Sequence, residues 1–325
     1  MPLSFQPPNE QLALMARAAE GKPEFARAFH KLAVSYWRAH DVEAYAWCCR
    51  QAYHLNPLEK FAVFGDATVE GPADIRERAR ALLAHGVANA PLIAALVTAE
   101  AKLGHGDAVR ELMDYDRFLV RDRIEPPEGM SLAAFNAMLA AEINSDLQFH
   151  DHPESRAIRR AWRFERIRDE PTPAVRMLKD ILQRHLTAYS DRLPAGSDHP
   201  FVKARPDKME ISGWAVVSDG ESHHLSHIHP AAWVTGVYYV VQPDVSRTSE
   251  RGWLRIGPPF DKRWTGETWE SRLIEPVPGA FVLMPGYFWH DTQPMGVDQE
   301  RICIAFEAQS TELVRRRGFE DGSPD

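Results

Sequence analysis

The stretch HIHPAAWVTGVYYVVQP, residues 227 to 243, decides how the second half of the chain folds. Its β-branched and aromatic residues lie between two prolines, a pattern typical of a short buried β-strand. His227 and His229 stand just ahead of that strand. In extended backbone, residues i and i+2 project to the same side about 6.5 Å apart, so both imidazoles can reach one metal ion.

Other segments of the same kind lie on both sides of this stretch. They are short, rich in β-branched and aromatic residues, and bounded by glycine or proline: KMEISGWAVV, GWLRIG, AFVLMP and RICIAFEA. Strands at this density favour a sandwich or jelly roll, whose open end can hold a metal ion. Residues 1 to about 120 instead have apolar positions at spacings of three and four, which predicts successive helices.

Within the helical part, AFHKLAVSYWRAHDVEAYAWCCRQAYHLNP (28–57) matches the pattern of one tetratricopeptide repeat, although Tyr45 stands where an alanine is expected. A weaker helix pair follows between residues 73 and 113. Each pair has an apolar face that only a stacked neighbour can bury. We therefore expect a helical-repeat domain that presents a concave surface to a peptide or protein, or that serves as a scaffold or homodimer contact.

The chain is thus expected to be α+β with two domains. The all-α helical-repeat domain spans 1–122, and the β-rich domain spans 123–310 with a helical lead-in at 130–195. Residues 311–325 form a polar tail. The arginine-rich segment RAIRRAWRFERIR (156–168) is interpreted as an exposed helix face anchored by its aromatic side chains.

Composition excludes several classes of protein. A net charge of −8 over 325 residues argues against a nucleic-acid partner, which requires a basic surface. Three cysteines cannot form a disulfide framework, and no apolar run approaches the roughly 18 residues of a membrane helix. We therefore expect a cytoplasmic protein without a membrane partner.

A third metal ligand and a co-substrate residue lie further along the chain. PVPGAFVLMPGYFWHDTQP (276–294) contains His290, and Arg301 opens the last strand eleven residues later. Three protein ligands on one face of an octahedral ion leave three positions open, as non-haem iron oxygenases require. Two of these positions suit the keto acid of 2-oxoglutarate and the third suits O2. A buried arginine can hold the distal carboxylate through a bidentate pair.

Four segments carry a family resemblance: SHIHPAAWVTGVYYV, GWLRIGPPF, PVPGAFVLMPGYFWHDTQP and ERICIAFEA. Together they resemble the Fe(II)/2-oxoglutarate-dependent oxygenases in which tetratricopeptide-like helices precede a double-stranded β-helix, a jelly-roll or cupin-like fold. The resemblance covers about residues 130–308. It implies iron bound by His227, His229 and His290, and 2-oxoglutarate held by Arg301. It further implies a dioxygenase that hydroxylates an unactivated C–H bond of a peptide or protein side chain, or of a small metabolite, and releases succinate and CO2.

One departure from the broader superfamily concerns the second histidine of the pair. That superfamily places an acid where His229 stands. The His-x-Asp at 105–107 falls in a helical turn, where its aspartate is interpreted as a helix cap, and the His-x-Glu at 152–154 falls in the helical connector. A carboxylate from Glu275 or Asp244 therefore stays open as an alternative third ligand.

Further residues are expected to line the pocket. Counting in twos from His229 selects Tyr239 rather than Tyr238 as the inward tyrosine, whose hydroxyl can help hold 2-oxoglutarate. Cys303 shares a strand face with Arg301 and can contact the same co-substrate, or be a small buried core residue. Two tryptophans complete the candidate substrate pocket: Trp233 and Trp289.

Two other interpretations stay open. Three histidines also suit zinc in a cupin-like metalloenzyme, although no HExxH or comparable carboxylate helper is visible and Arg301 would lack a role. The second interpretation is a non-catalytic tetratricopeptide-type interaction or sensor protein, although intact His227, His290 and Arg301 argue against it. His223 and His224 precede the pair in an expected loop, where substitutions should be mild.

Overall fold

A computed structural model describes residues 6–56, 71–145, 158–164, 172–259, 269–297 and 299–310. Its helices are α1 (Glu10–Ala19), α2 (Ala26–Arg38), α3 (Val42–Leu55), α4 (Pro72–Ala84), α5 (Ala90–Lys102), α6 (Gly106–Leu112), α7 (Tyr115–Phe118), α8 (Leu132–Ser145), α9 (Pro173–Asp191), α10 (Pro200–Lys203) and α11 (Val245–Thr248). Its strands are β1 (Val120–Arg123), β2 (Ile158–Phe164), β3 (Met209–His224), β4 (Val234–Val241), β5 (Leu254–Ile256), β6 (Arg272–Ile274), β7 (Ala280–Pro285), β8 (His290–Thr292) and β9 (Arg301–Ser310). The prediction of a mixed chain of helices and strands is confirmed.

Helices α2 and α3 form the first predicted helix pair. His40, in the turn between them, has a φ of 59°, the left-handed conformation that commonly ends a helix. Asp41 then begins α3, because its side-chain oxygen accepts a hydrogen bond from the backbone N–H of Ala44 at 3.0 Å. Pro57, the closing residue of the predicted repeat, lies outside the described residues. The pair exists, while its assignment to the tetratricopeptide class stays a prediction.

Helices α4 and α5 form the second pair, and α5 is buried on most of its surface. Asn89 caps α5 by accepting a hydrogen bond from the backbone N–H of Leu92 at 3.0 Å. The helix is apolar on several sides because it packs against both α4 and the short helix α10 near the strands. Within the described ranges, none of the helices combines the length and the hydropathy that crossing a bilayer requires.

The strands form two antiparallel sheets. The larger has the order β1-β7-β4-β9-β3-β2 and the smaller has the order β6-β5-β8. Buried side chains of both sheets belong to one hydrophobic core, and both sheets supply walls of a cavity between them. The arrangement is a β-sandwich whose inner faces enclose the candidate site.

Strand β9 contributes to both sides of the larger sheet. Its even-numbered residues from 302 to 308 are buried away from the cavity, as the two-residue period of a strand requires. Its first four odd-numbered residues line the cavity: Arg301, Cys303, Ala305 and Glu307. One strand therefore supplies polar groups at two places along the same wall.

The arginine-rich segment is not a helix over its described residues. Ile158–Phe164 form β2, which pairs antiparallel with β3. A short run with few apolar residues does not distinguish a strand from a helix by its periodicity, and the 16-residue β3 offers a long edge whose backbone groups need partners. The interpretation of this segment as a helix face is therefore wrong for residues 158–164.

Strand β1 lies across the expected domain boundary. Val120–Arg123 pair with residues 280–283 of β7, so a boundary between 122 and 123 divides a strand of the larger sheet. The lead-in at 130–195 contains α8 and α9, but also β2. The expected tail at 311–325 lies outside the described residues. One residue separates α7 from β1, and the division into two domains stays a prediction.

Candidate metal centre

Three histidines converge at one end of the cavity between the sheets. One ring nitrogen from each of His227, His229 and His290 lies within 4.8 Å of the other two. The Nε2 atoms of His229 and His290 are 3.3 Å apart. Two nitrogens that each lie about 2.1 Å from one ion are separated by about 3.0 to 4.2 Å, so this spacing fits a shared metal.

The backbone that places these histidines is not the regular strand that the spacing suggests. His227 and His290 form an isolated antiparallel bridge, with both N–H to C=O distances at 3.0 Å. The backbone N–H of His229 donates to the carbonyl of Gly286 at 2.9 Å. An added Cβ at Gly286 would collide with the carbonyl oxygen of Ala232. The two rings project together as the i, i+2 spacing predicts, and bonds to β8 and to the turn after β7 hold them there.

Every imidazole in the cluster uses its Nδ1 atom within the protein. His227 Nδ1 lies 2.7 Å from the carbonyl of Leu225, and His290 Nδ1 lies 2.9 Å from the carbonyl of Phe288. A carbonyl oxygen can only accept, so both Nδ1 atoms carry the proton and both Nε2 atoms keep a free lone pair. Such contacts fix the tautomer of a metal-binding histidine.

Burial controls the charge of the cluster. Burial, and next the neighbouring His229, lowers the pKa of His227 to about 4. Burial, and next the neighbouring His227, holds the pKa of His290 well below its ordinary value. Both imidazoles are therefore neutral at neutral pH, which is the form that binds a metal.

A buried cation and a buried phenol lie in the same cavity, whose volume is about 200 Å³. Arg301 is 4% exposed, and its Nε atom has no hydrogen-bond partner among the described residues. The hydroxyl of Tyr239 is likewise buried without a described partner. Burial raises the pKa of Tyr239 against the opposing charge of Arg301, so the phenol keeps a proton to donate. Orphaned donors of this kind fit a carboxylate ligand.

Residues 212–307 match the family model described as "Putative 2OG-Fe(II) oxygenase". The chain carries a 2OG-Fe(II) oxygenase domain. It is an enzyme domain whose cofactors are Fe(II) and 2-oxoglutarate. The histidine cluster and the orphaned donors of Arg301 and Tyr239 fit these two groups, and all of them lie within the matched residues.

Three solved structures are similar to part of the chain. A Pseudomonas putida prolyl-4-hydroxylase is 15% identical, with a TM-score of 0.43 over 61% of this chain and 95% of that chain. A Trichoplax adhaerens prolyl hydroxylase in complex with a hypoxia inducible factor peptide is 13% identical, with a TM-score of 0.44 over 69% and 94%. HygX from Streptomyces hygroscopicus, with nickel and 2-oxoglutarate bound, is 13% identical, with a TM-score of 0.41 over 62% and 87%. No curated protein matches the chain in sequence.

Two of the expected co-substrate residues lie opposite each other in the oxygenase domain. Tyr239 on β4 is the register partner of Cys303 on β9, and both line the cavity with Arg301. Tyr238 points the other way, and its hydroxyl donates to the side-chain oxygen of Asn136 at 2.5 Å. Burial raises the pKa of Cys303, which keeps it a thiol. The geometry is compatible with the expected role of Tyr239, whereas Cys303 can only be a weak donor.

The structure does not place the two expected tryptophans in the metal cavity. Trp233 stacks on Phe201, with ring centroids 4.9 Å apart, and its indole N–H donates to the carbonyl of Phe201 at 2.8 Å. It lines a separate cavity of about 230 Å³ beside α5. A buried indole N–H requires an acceptor, which Phe201 provides. Trp289 is not among the residues that line the metal cavity.

Neither alternative carboxylate reaches the oxygenase site. Glu275 lies 3.7 Å from Arg121 in a partly exposed ion pair, and Asp244 precedes α11. Neither lines the cavity. Asp107 is not a helix cap, since it lies in the first turn of α6 and pairs with Arg110. The His-x-Glu at 152–154 lies outside the described residues.

One carboxylate that was not among the predicted site residues does reach the cluster. Glu307 lines the cavity, and its Oε1 atom lies 2.6 Å from Nδ1 of His229. Counting in twos along β9 from Arg301 arrives at Glu307, so the signal was present in RICIAFEA. Trp214 was missed as well, and its ring stacks on His229 with centroids 6.0 Å apart.

Proposed function

We propose that the protein is a dioxygenase that hydroxylates an unactivated C–H bond, with His227, His229 and His290 as the iron ligands. The observation that carries this proposal is the convergence, in one cavity, of three imidazoles and a buried arginine whose Nε atom has no hydrogen-bond partner among the described residues. Three protein ligands leave room for a chelating co-substrate and O2. Zinc chemistry would use the histidines but not Arg301.

Some residues of the cavity bind the iron and the co-substrate, and others exclude water from them. The Nε2 atoms of the histidines hold the iron, while Arg301 and Tyr239 donate hydrogen bonds to the distal carboxylate of 2-oxoglutarate. Bound together, Fe(II) and 2-oxoglutarate supply the oxidising chemistry, with succinate and CO2 as co-products. The other walls are mostly apolar: Ile228, Val237, Leu254 and Met284. Such walls exclude water from the reacting centre.

We further propose that the two sheets form the double-stranded β-helix of such oxygenases, and that the preceding helix pairs are tetratricopeptide-like. The hydroxyl of Tyr53 on α3 donates to the carbonyl of Pro230, directly after His229, at 2.9 Å. The helical part is therefore attached to the segment that carries two of the ligands. This supports a peptide or protein side chain as the substrate, with a small metabolite as the alternative.

Three further properties belong to this proposal. We place the protein in the cytoplasm because Cys48, Cys49 and Cys303 are free and buried. We expect no nucleic-acid partner, given the net charge of −8. A homodimer would use the helical part, and sedimentation of the purified protein would show it.

The decisive experiment reconstitutes the metal-free protein with Fe(II) without oxygen, adds 2-oxoglutarate, and records absorption before admitting O2. An iron-to-2-oxoglutarate charge-transfer band followed by iron-dependent succinate formation supports the proposal. Tight zinc binding without either signal would replace it with a zinc enzyme. Failure to bind any metal would leave an interaction or sensor protein.

A further inference from the structure

Glu307 makes a contact that the proposed reaction does not yet use. Its side chain is 13% exposed and that of His229 is 9% exposed, so the 2.6 Å contact between Oε1 and Nδ1 is largely shielded from water. The second oxygen, Oε2, accepts a hydrogen bond from the side-chain amide of Gln309, two residues along β9. The carboxylate is thus held at both oxygens with one of them directed at a proposed ligand.

This contact sets His229 apart from its two neighbours. His227 and His290 direct Nδ1 at neutral backbone carbonyls, whereas His229 directs Nδ1 at an acidic side chain. A hydrogen bond to a carboxylate is shorter and stronger than one to a carbonyl. It also places negative charge behind the ring, which makes Nε2 of His229 the strongest electron-pair donor to a metal in the cluster.

Glu307 lies behind the ligand rather than among the ligands. It contacts the Nδ1 side of the His229 ring, while the Nε2 side faces His290 at 3.3 Å. The described metal-binding group contains the three histidines without Glu307. A carboxylate in this place leaves the number of open metal positions unchanged.

We propose that Glu307 is a positioning residue for the metal centre. Its carboxylate fixes the tautomer and the ring orientation of His229. It also supplies, one hydrogen bond beyond the ligands, the negative charge that a carboxylate ligand supplies in a triad of two histidines and one acid. The inference rests on the proposed iron ligands, and it explains how a three-histidine site tolerates the missing acid at position 229.

The ring of His229 is restrained from further directions. Trp214 stacks on it with an interplanar angle of 26°, and the backbone N–H of His229 is bonded to Gly286. Because the ring is already confined, loss of Glu307 would change the donor strength and tautomer of His229 more than its location. The effect should therefore appear in metal affinity and in spectra before it appears in folding.

Two substitutions separate the charge of Glu307 from its hydrogen bond. Glu307→Gln keeps the size and an acceptor oxygen but removes the charge, and Glu307→Ala removes both. Glu300→Gln is the matched control, since Glu300 is exposed just before β9 and contacts Asn144 at 3.4 Å. Each protein is titrated with Co(II) in the metal-free state, and the anaerobic Fe(II)/2-oxoglutarate absorption is recorded. Circular dichroism melting checks the fold.

We expect Co(II) to bind about 10- to 100-fold more weakly to Glu307→Ala than to wild type, and more weakly by a smaller factor to Glu307→Gln. The charge-transfer band should move to shorter wavelength in both, because a weaker donor leaves iron less electron-rich. Glu300→Gln should behave as wild type. Unchanged affinity and an unchanged band in Glu307→Gln and Glu307→Ala would overturn the inference.

Two other results would also overturn it, and they differ from each other. If both Glu307 variants lose metal as completely as a variant lacking His290, then Glu307 is itself a ligand. If wild-type protein binds no Co(II) or Fe(II), the proposed ligand set fails together with this inference. If wild type binds metal and forms succinate normally and neither Glu307 substitution has an effect, the proposed function is retained and the inference on Glu307 is rejected.

Discussion

Two buried polar clusters in this protein differ in whether their charges are paired. In the helical part, Glu100 is 1% exposed and accepts hydrogen bonds at 2.9 Å from Arg76 and from Arg80. His105 lies 2.6 Å from its other oxygen. In the oxygenase domain, Arg301 is nearly as buried, yet no described carboxylate pairs with it and its Nε atom has no described partner.

The difference distinguishes a cluster that stabilises the fold from a cluster that can bind a ligand. A buried charge without a partner costs several kcal/mol, so it persists where a bound group compensates it. Around Glu100 the protein itself supplies the compensation. Around Arg301 an open cavity lies next to the unpaired group, and 2-oxoglutarate can supply it. Burial alone would have given both clusters the same interpretation.

The largest expected effect is in His290→Ala. Iron uptake should be abolished, because His290 supplies one of the three ring nitrogens and its backbone also bridges His227. Ferrous iron bound after anaerobic reconstitution and gel filtration measures this. His85→Ala is the control, since that ring bonds to the carbonyl of Ala81 in the helical part. Normal iron loading in His290→Ala would discard the ligand assignment.

Arg301→Ala comes next. The concentration of 2-oxoglutarate needed for half-maximal turnover should rise about 100-fold, since hydrogen bonds to a charged group contribute about 1.5 to 3 kcal/mol. Iron binding should persist. The metal-free variant should unfold in urea no more easily than wild type, because no carboxylate among the described residues pairs with the removed charge.

Arg121→Ala is the matched control for that variant, since Arg121 is partly exposed and pairs with Glu275 on the outside of the sheet. The distinction between the two clusters would be wrong if Arg301→Ala lowered the free energy of unfolding of the metal-free protein as much as loss of a paired charge does. Unchanged affinity for 2-oxoglutarate would separately remove the role given to Arg301.

Glu100→Gln should have the opposite profile. Its free energy of unfolding should fall by about 2 kcal/mol, because a buried acceptor of charged hydrogen bonds is weakened. The loss is moderated because Arg76 is 32% exposed and Arg80 is 52% exposed, so both can be hydrated. The requirement for 2-oxoglutarate should not change. Urea denaturation and the succinate assay on the same preparation test both halves.

The smallest expected effect is in His224→Ala. His224 lines the cavity, and its ring centroid lies 6.0 Å from that of His227, but it is not part of the metal-binding group. Affinity for Co(II) should change by less than about threefold, which is under 1 kcal/mol. Loss of metal from this variant, with His290→Ala retaining it, would reassign the ligands.

Periodicity predicted the elements well where a segment has one buried face. Helix α2 and the alternation along β4 and β9 illustrate this, although β4 and β9 are buried on both faces, and alternation selected Tyr239 over Tyr238 as the residue that lines the cavity. Periodicity failed for Ile158–Phe164, because an arginine-rich run with few apolar residues fits a helix face and a strand equally well. The unpaired edge of β3 decided between them.

The contacts of individual side chains were harder to predict than the secondary-structure elements. Trp233 was expected to line the metal cavity, but its indole N–H donates to the carbonyl of Phe201 outside that cavity. Glu307 was not predicted, because the HxD and HxE spacings indicate a carboxylate that binds the iron, whereas this carboxylate contacts the Nδ1 side of an iron-binding histidine. Alternation along β9 places Glu307 on the face of Arg301, but its partner His229 is distant in sequence, so no local pattern predicts that contact.

The sequence by itself determined the kinds of element, the three histidines with an arginine eleven residues after the last, and hence the class of chemistry. These depend on residue type and on spacing along the chain, because the geometry of strands and helices determines from that spacing which residues share a face. Only the tertiary structure decided that His227 and His229 are aligned by bonds to His290 and Gly286, and that Glu307 lies behind His229. Those contacts join segments about sixty to eighty residues apart, so they exist only after the sheets have packed.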